Sequence, residues 1–98
     1  MLYKCKNPIV RILNVEHMQW EAGAFDISPR AYSALAFRIS GTAKITVNEK
    51  TYPVNTTELL YLPQGVAYSA DYSDTEMLVI HFKTVENDQE PEVYSVKN

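Results

Sequence analysis

The chain has 98 residues, nine basic and twelve acidic, with a formal charge of −3 and a hydrophobic fraction of 46%. That is enough for one core rather than two, burying roughly 60–70% of the surface an unfolded chain exposes. Disorder is disfavoured by this composition, nucleic-acid binding by the scatter of the basic residues, and a membrane span by the lack of any apolar run of roughly 20 residues.

Met1 to Lys6 lacks the apolar stretch of a signal peptide, so a cytoplasmic location is expected. Cys5 is the sole cysteine; it is read as a free thiol, with no internal disulfide or cysteine metal cluster. Ile9 to Val15 reads as a strand, and His17 to Ala22 continues it towards a loop marked by Gly23. Asp26 to Ala31 is turn-like and broken by Pro29. Tyr32 to Ser40 is a long strand in which Leu35, Phe37 and Ile39 alternate with Ala36 and Arg38. Gly41 makes a turn, after which Ala43, Ile45 and Val47 alternate with Lys44 and Thr46. Asn48-Glu49-Lys50 bends the chain into Thr51 to Val54. Asn55-Thr56-Thr57 matches the N-glycosylation acceptor pattern, an accidental match in a chain expected not to be secreted.

Leu59 to Leu62, a Pro63–Gly65 turn, Val66 to Tyr72, a Ser73-Asp74 turn and Met77 to Phe82 complete the strand pattern. From Lys83 onward the chain turns polar, with Glu86, Asp88, Glu90 and Glu92 around Pro91. Residues 84–98 are therefore expected as an acidic tail or a final edge strand near Val93 to Val96, following a domain spanning 1–83. Seven or eight short strands without an amphipathic helix predict an all-β sandwich or barrel.

The stretch Glu58-Leu59-Leu60-Tyr61-Leu62-Pro63-Gln64-Gly65-Val66-Ala67-Tyr68 resembles the second conserved motif of cupin β-barrels. In metal-binding cupins the last position is a histidine ligand; here it is Tyr68. Counting back from Gly41, the first cupin motif places its glutamate at Ala34 and its histidines at Arg30 and Ser28. Ser28, Arg30, Ala34 and Tyr68 thus occupy the ligand positions, and none is a usual transition-metal ligand. The resemblance implies a cupin-like double-stranded β-helix, or jelly-roll barrel, with no metal and no cofactor. His17 and His81 fall off the motif and are read as surface or core histidines.

A narrower resemblance covers residues 28 to 82. Arg38-Ile39-Ser40-Gly41, Leu59 to Gly65 and Ile80-His81-Phe82 together look like the N-terminal ligand-sensing domain of AraC-type transcription regulators. Thr57 departs from that pattern, standing where a glycine usually starts the second motif. The family joins such a sensor to a C-terminal helix-turn-helix domain that binds DNA. No such domain follows Lys83 here, so the chain is expected to be the sensor module, with DNA as a partner only through a domain absent from it. The resemblance implies a small-molecule effector and a homodimer; without a long apolar run no membrane partner is expected.

If Ser28, Arg30 and Ala34 face inward as in cupins, period-two alternation points Ala36, Arg38 and Ser40 inward too. Tyr68, Ala70 and Tyr72 follow by the same count. On the last strand Met77, Val79 and His81 share one face and Leu78, Ile80 and Phe82 the other. Both are apolar, so pattern does not choose; the family comparison favours the odd-numbered face. The expected ligand-binding residues are Arg30, Arg38, Ser40, Tyr68, Met77 and His81. Guanidinium and imidazole groups beside aromatic rings suit a small polar ligand, a sugar or a carboxylate.

Each assignment has a structural alternative. Arg38 also reads as a solvent-facing strand residue, Tyr68 as a space filler and His81 as a hydrogen-bonded core residue; Trp20 lines the pocket entrance or anchors the first strand, and the anchor is favoured. Two other functions fit the sequence: a dimerisation module without ligand, or a metal-independent sugar isomerase or epimerase using His81 or a tyrosine. No carboxylate stands beside His81 in the sequence. No catalytic residue is assigned and the chain is read as a non-enzyme.

Overall fold

The computed structural model describes residues 7–95; Cys5 and Val96 lie outside them. The strands are β1 (Ile9–Trp20), β2 (Gly23–Ile27), β3 (Ser33–Ser40), β4 (Ala43–Val47), β5 (Lys50–Val54), β6 (Glu58–Leu62), β7 (Tyr68–Tyr72), β8 (Thr75–Thr84) and β9 (Glu92–Ser95). They form a five-stranded sheet ordered β1-β8-β3-β6-β9 and a four-stranded sheet ordered β2-β7-β4-β5. Every pairing is antiparallel. No helix among the described residues is long and apolar enough to cross a membrane.

The core lies between the sheets, where alternation places one face of each strand. In β4, Ala43, Ile45 and Val47 are buried and Lys44 is exposed. Ile45, Val54 and Leu60 are almost wholly excluded from solvent, each contributing about 1.5–3 kcal/mol of hydrophobic stabilisation. In β8, Met77, Val79 and His81 point inward. Leu78 is exposed on the outer face, while Phe82 is buried there beneath the ring of Tyr61.

Turn chemistry fixes the registers. Asn48 and Glu49 both have positive φ, 49° and 68°, the signature of a two-residue type I′ hairpin turn. Lys50 therefore begins β5 instead of ending the turn. Gly41 sits at φ 82°, where an added Cβ would lie 2.2 Å from the Asp74 carbonyl oxygen. Thr57 has φ 69°, a conformation that suits glycine and strains a β-branched residue. Its amide donates to the Arg38 carbonyl at 2.7 Å.

The structure departs from the alternation pattern in two places. Gly23 opens a strand, and β2 pairs with β7 from Gly23↔Tyr72 to Ile27↔Tyr68; the turn is confined to the residues after Ile27. In β3, the register with β8 shifts between Arg38↔Met77 and Ser40↔Glu76, so Ile39 is an extra residue. Such a bulge rotates the strand beyond it. Ser40 is consequently exposed rather than directed into the barrel.

Candidate functional site

A cavity of about 230 Å³ lies between the sheets. Its floor is the inward face of β3, β6 and β8, where Ala34, Ala36, Leu60, Leu62 and Val79 offer only carbon. Ala34 and Ala36 are the reason for the space: a methyl group stands where larger side chains would meet the opposite sheet. Met18 and Trp20 of β1 and Phe25 and Ile27 of β2 close other sides. Trp20 packs edge-on against Phe25 with ring centroids 5.1 Å apart, and both rings lie near Tyr72.

Arg38 is the deepest charge in this cavity, only 1% exposed. Its Nη1 donates to Thr75 Oγ1 at 2.5 Å, and that hydroxyl donates onward to the Ser40 carbonyl at 2.8 Å. The guanidinium carbon stands 5.3 Å from the centre of the Tyr72 ring, within cation–π range. Nε has no hydrogen-bond partner, and no carboxylate pairs with Arg38 among the described residues. Burial lowers its pKa, while Tyr72 opposes the shift; a guanidinium stays charged throughout.

A second polar group gathers around Arg30. The Pro63–Gly65 turn positions it: the Gly65 amide donates to the Arg30 carbonyl at 2.8 Å, and the Gln64 amide to Ser33 Oγ at 2.8 Å. Arg30 Nη2 donates to the Tyr68 hydroxyl at 3.2 Å, and the guanidinium lies 4.9 Å from the Tyr32 ring centre. Burial pushes the Tyr68 phenol up to about 12, against the pull of the Arg30 cation. Burial and, next, Arg30 lower the pKa of His81, while Glu16 raises it. His81 Nδ1 bonds Asn14 Oδ1 at 2.7 Å, an arrangement that makes Nδ1 the protonated nitrogen and leaves Nε2 an acceptor. The Glu16 carboxylate lies 3.9 Å from the same Nδ1; strand pairing thus brings beside His81 a carboxylate that sequence proximity does not reveal.

Of the expected ligand-binding residues, Arg30, Arg38, Tyr68, Met77 and His81 line this one cavity and Ser40 does not. Ser28 also lies elsewhere, in a shallow outer groove with Pro29, Asn48 and Glu49. Trp20 lines the cavity as well as anchoring β1. Met18, Phe25 and Ile27 were not assigned from sequence. Period two back from Trp20 finds Met18; the loop expected at Gly23 and the turn expected from Asp26 hide Phe25 and Ile27 of β2.

The motif resemblance sets its metal-ligand positions at Ser28, Arg30, Ala34 and Tyr68, and these residues do not fit a metal. No group of three His, Cys, Asp or Glu side chains able to hold a metal occurs among the described residues. Arg30 and Arg38 place positive charge in the same space.

No family model matches the sequence, and no curated protein matches it. Solved structures do resemble it. The Clostridium difficile EutQ protein superposes with a TM-score of 0.66 at 16% identity, over 79% of this chain and 66% of that one. A cupin-2 domain containing protein from Shewanella frigidimarina gives 0.59 at 15% identity, over 76% and 78%. Bacillus subtilis oxalate decarboxylase, an enzyme with Mn(II) centres, gives 0.60 at 20% identity over 80% of this chain. This chain spans 24% of that enzyme. The fold is a cupin β-barrel.

Proposed function

We propose that this domain binds a small polar molecule inside its barrel without a metal, as the effector-binding part of a cytoplasmic AraC-type transcription regulator. The observation that carries the reading is the cavity itself. An interior space lowers stability in proportion to its volume, yet here it is kept open by two alanines and lined by Arg30, Arg38, Tyr68, Tyr72 and His81. Such a mixture of apolar wall and convergent polar groups is the usual make-up of a ligand site. The regulatory role rests on the resemblance of residues 28 to 82 to the sensor family. In that role ligand binding biases an equilibrium between two arrangements of the domain and its partner. Self-association is assigned to β1, a sheet edge that exposes Ile12 and Val15; a monomer at high micromolar concentration in sedimentation velocity would contradict it.

The His81–Glu16 proximity favours an acid–base enzyme as the second reading. Against it, Nδ1 is engaged by Asn14, and Glu16 does not line the cavity. A thermal-shift screen against sugars, sugar acids and divalent metals tests the proposal. A ligand at a hundred times its Kd stabilises by about 2.7 kcal/mol, a rise of roughly 10–20 °C for a domain of this size. A metal-only response would overturn metal-free binding, and silence throughout would favour the dimerisation module.

A further inference from the structure

We propose that the ligand is a small monocarboxylate, its anionic end seated on Arg38 and its apolar body lying over Ala34 and Ala36. The inference rests on the cavity being a ligand site and adds the chemical class. Arg38 is the first support. A guanidinium has five N–H donors, and a purely structural one buried to 1% exposure would be expected to satisfy them. Here Thr75 takes one, the Tyr72 side chain engages the guanidinium as a second partner, Nε has no partner, and no acid neutralises the charge among the described residues. A buried cation in this state is unfavourable until an anion meets it. A planar carboxylate matches the guanidinium fork and supplies both the missing charge and the missing acceptors.

The rest of the cavity fixes the remainder of the molecule. Ala36, Leu60 and Val79 beside Arg38 provide no hydrogen-bonding side-chain atom, so a sugar's hydroxyls would lose water there without replacement. A carbon chain or ring is accommodated instead, bordered by Trp20, Phe25 and Tyr72. An apolar cavity of about 150 Å³ takes up benzene; the 230 Å³ here leaves room for a ring plus a carboxylate. The far end, with Arg30, Tyr68 and His81, accepts a polar substituent.

The test uses benzoate and hexanoate as probes, with benzamide and hexanamide as their uncharged counterparts and glucose and ribose as polyols. Calorimetry and thermal denaturation are run at constant ionic strength on the wild type, Arg38→Met and Arg38→Lys. We expect a carboxylate to bind and raise Tm, with its amide about 10- to 100-fold weaker, the range for losing hydrogen bonds to a charged group. Arg38→Met should abolish the carboxylate response while melting close to the wild type without probe, because it removes a buried charge that no carboxylate neutralises among the described residues. Arg38→Lys keeps the charge without the fork and should retain weakened binding, which preserves the test should Arg38→Met fail to fold. Binding of glucose or ribose with no response to either carboxylate would overturn the carboxylate class and leave the cavity reading standing. Carboxylate binding undiminished in Arg38→Met would also overturn it. No response to any probe would remove both.

Discussion

Replacing Ala36 with Leu places an isobutyl group in the floor of the cavity, between Leu60 on β6 and Val79 on β8. Ala36 is 6% exposed, so the added group is taken fully out of water. About three buried carbons contribute at most ~2.4 kcal/mol. Overpacking in a filled core costs about 1–3 kcal/mol, but here the side chain enters an existing space of about 230 Å³. A net gain near 1 kcal/mol is expected, raising Tm by roughly 4–8 °C in a domain of this length. The same group occupies the volume a ligand needs, so affinity should fall as stability rises, the trade-off expected of a site kept open for function. Differential scanning calorimetry on the free protein, paired with titration of any ligand found for the wild type, reads both quantities. A variant that melts well below the wild type while binding ligand undiminished would refute the reasoning, since the space would then be neither empty nor the site.

Thr75→Val removes the acceptor for Arg38 Nη1 and the donor to the Ser40 carbonyl; urea denaturation should show a loss of about 1–3 kcal/mol. Burial, then the Arg30 cation, hold the His81 pKa below its ordinary value of 6.5. The unfolded chain therefore takes up the proton first as pH falls, and stability should decline from about pH 6.5 downward until the folded pKa is passed. His81→Gln should flatten that part of the profile, and an unchanged slope would contradict the assignment. Thr57→Gly relieves a positive φ of 69°, a conformation that glycine adopts without strain. Strain relief of about 1–3 kcal/mol, less the extra unfolded-state entropy of glycine at about 0.4–1 kcal/mol, should leave a small rise in Tm.

Much of the barrel was legible because its strands are short, alternating and punctuated by turn residues. Ile45 and its neighbours in β4 face the core as period two demands, and Met77, Val79 and His81 fall on the interior face that family comparison favoured. Ser40 was misplaced because a bulge at Ile39 breaks the count, and a bulge arises from pairing with β8, which no local pattern announces. β2 was missed because Gly23 and Asp26 weaken a strand whose partner, β7, lies more than forty residues away. Arg38 was found as an inward position, but its lack of a carboxylate partner among the described residues is a property of the assembled sheets. Glu16 beside His81 is likewise created by the β1–β8 register.

Whether the barrel interior binds ligand is decided by a two-dimensional amide NMR titration of the labelled domain with small carboxylates and polyols. A bound molecule should perturb the amides of Ala36, Arg38, Tyr72 and Val79, around the cavity, and leave those of Ile12, Val15 and Leu78 at the outer face near their starting positions. Perturbations confined to the outer face, or a spectrum unmoved by every compound, would show that the interior of this barrel is not a ligand site.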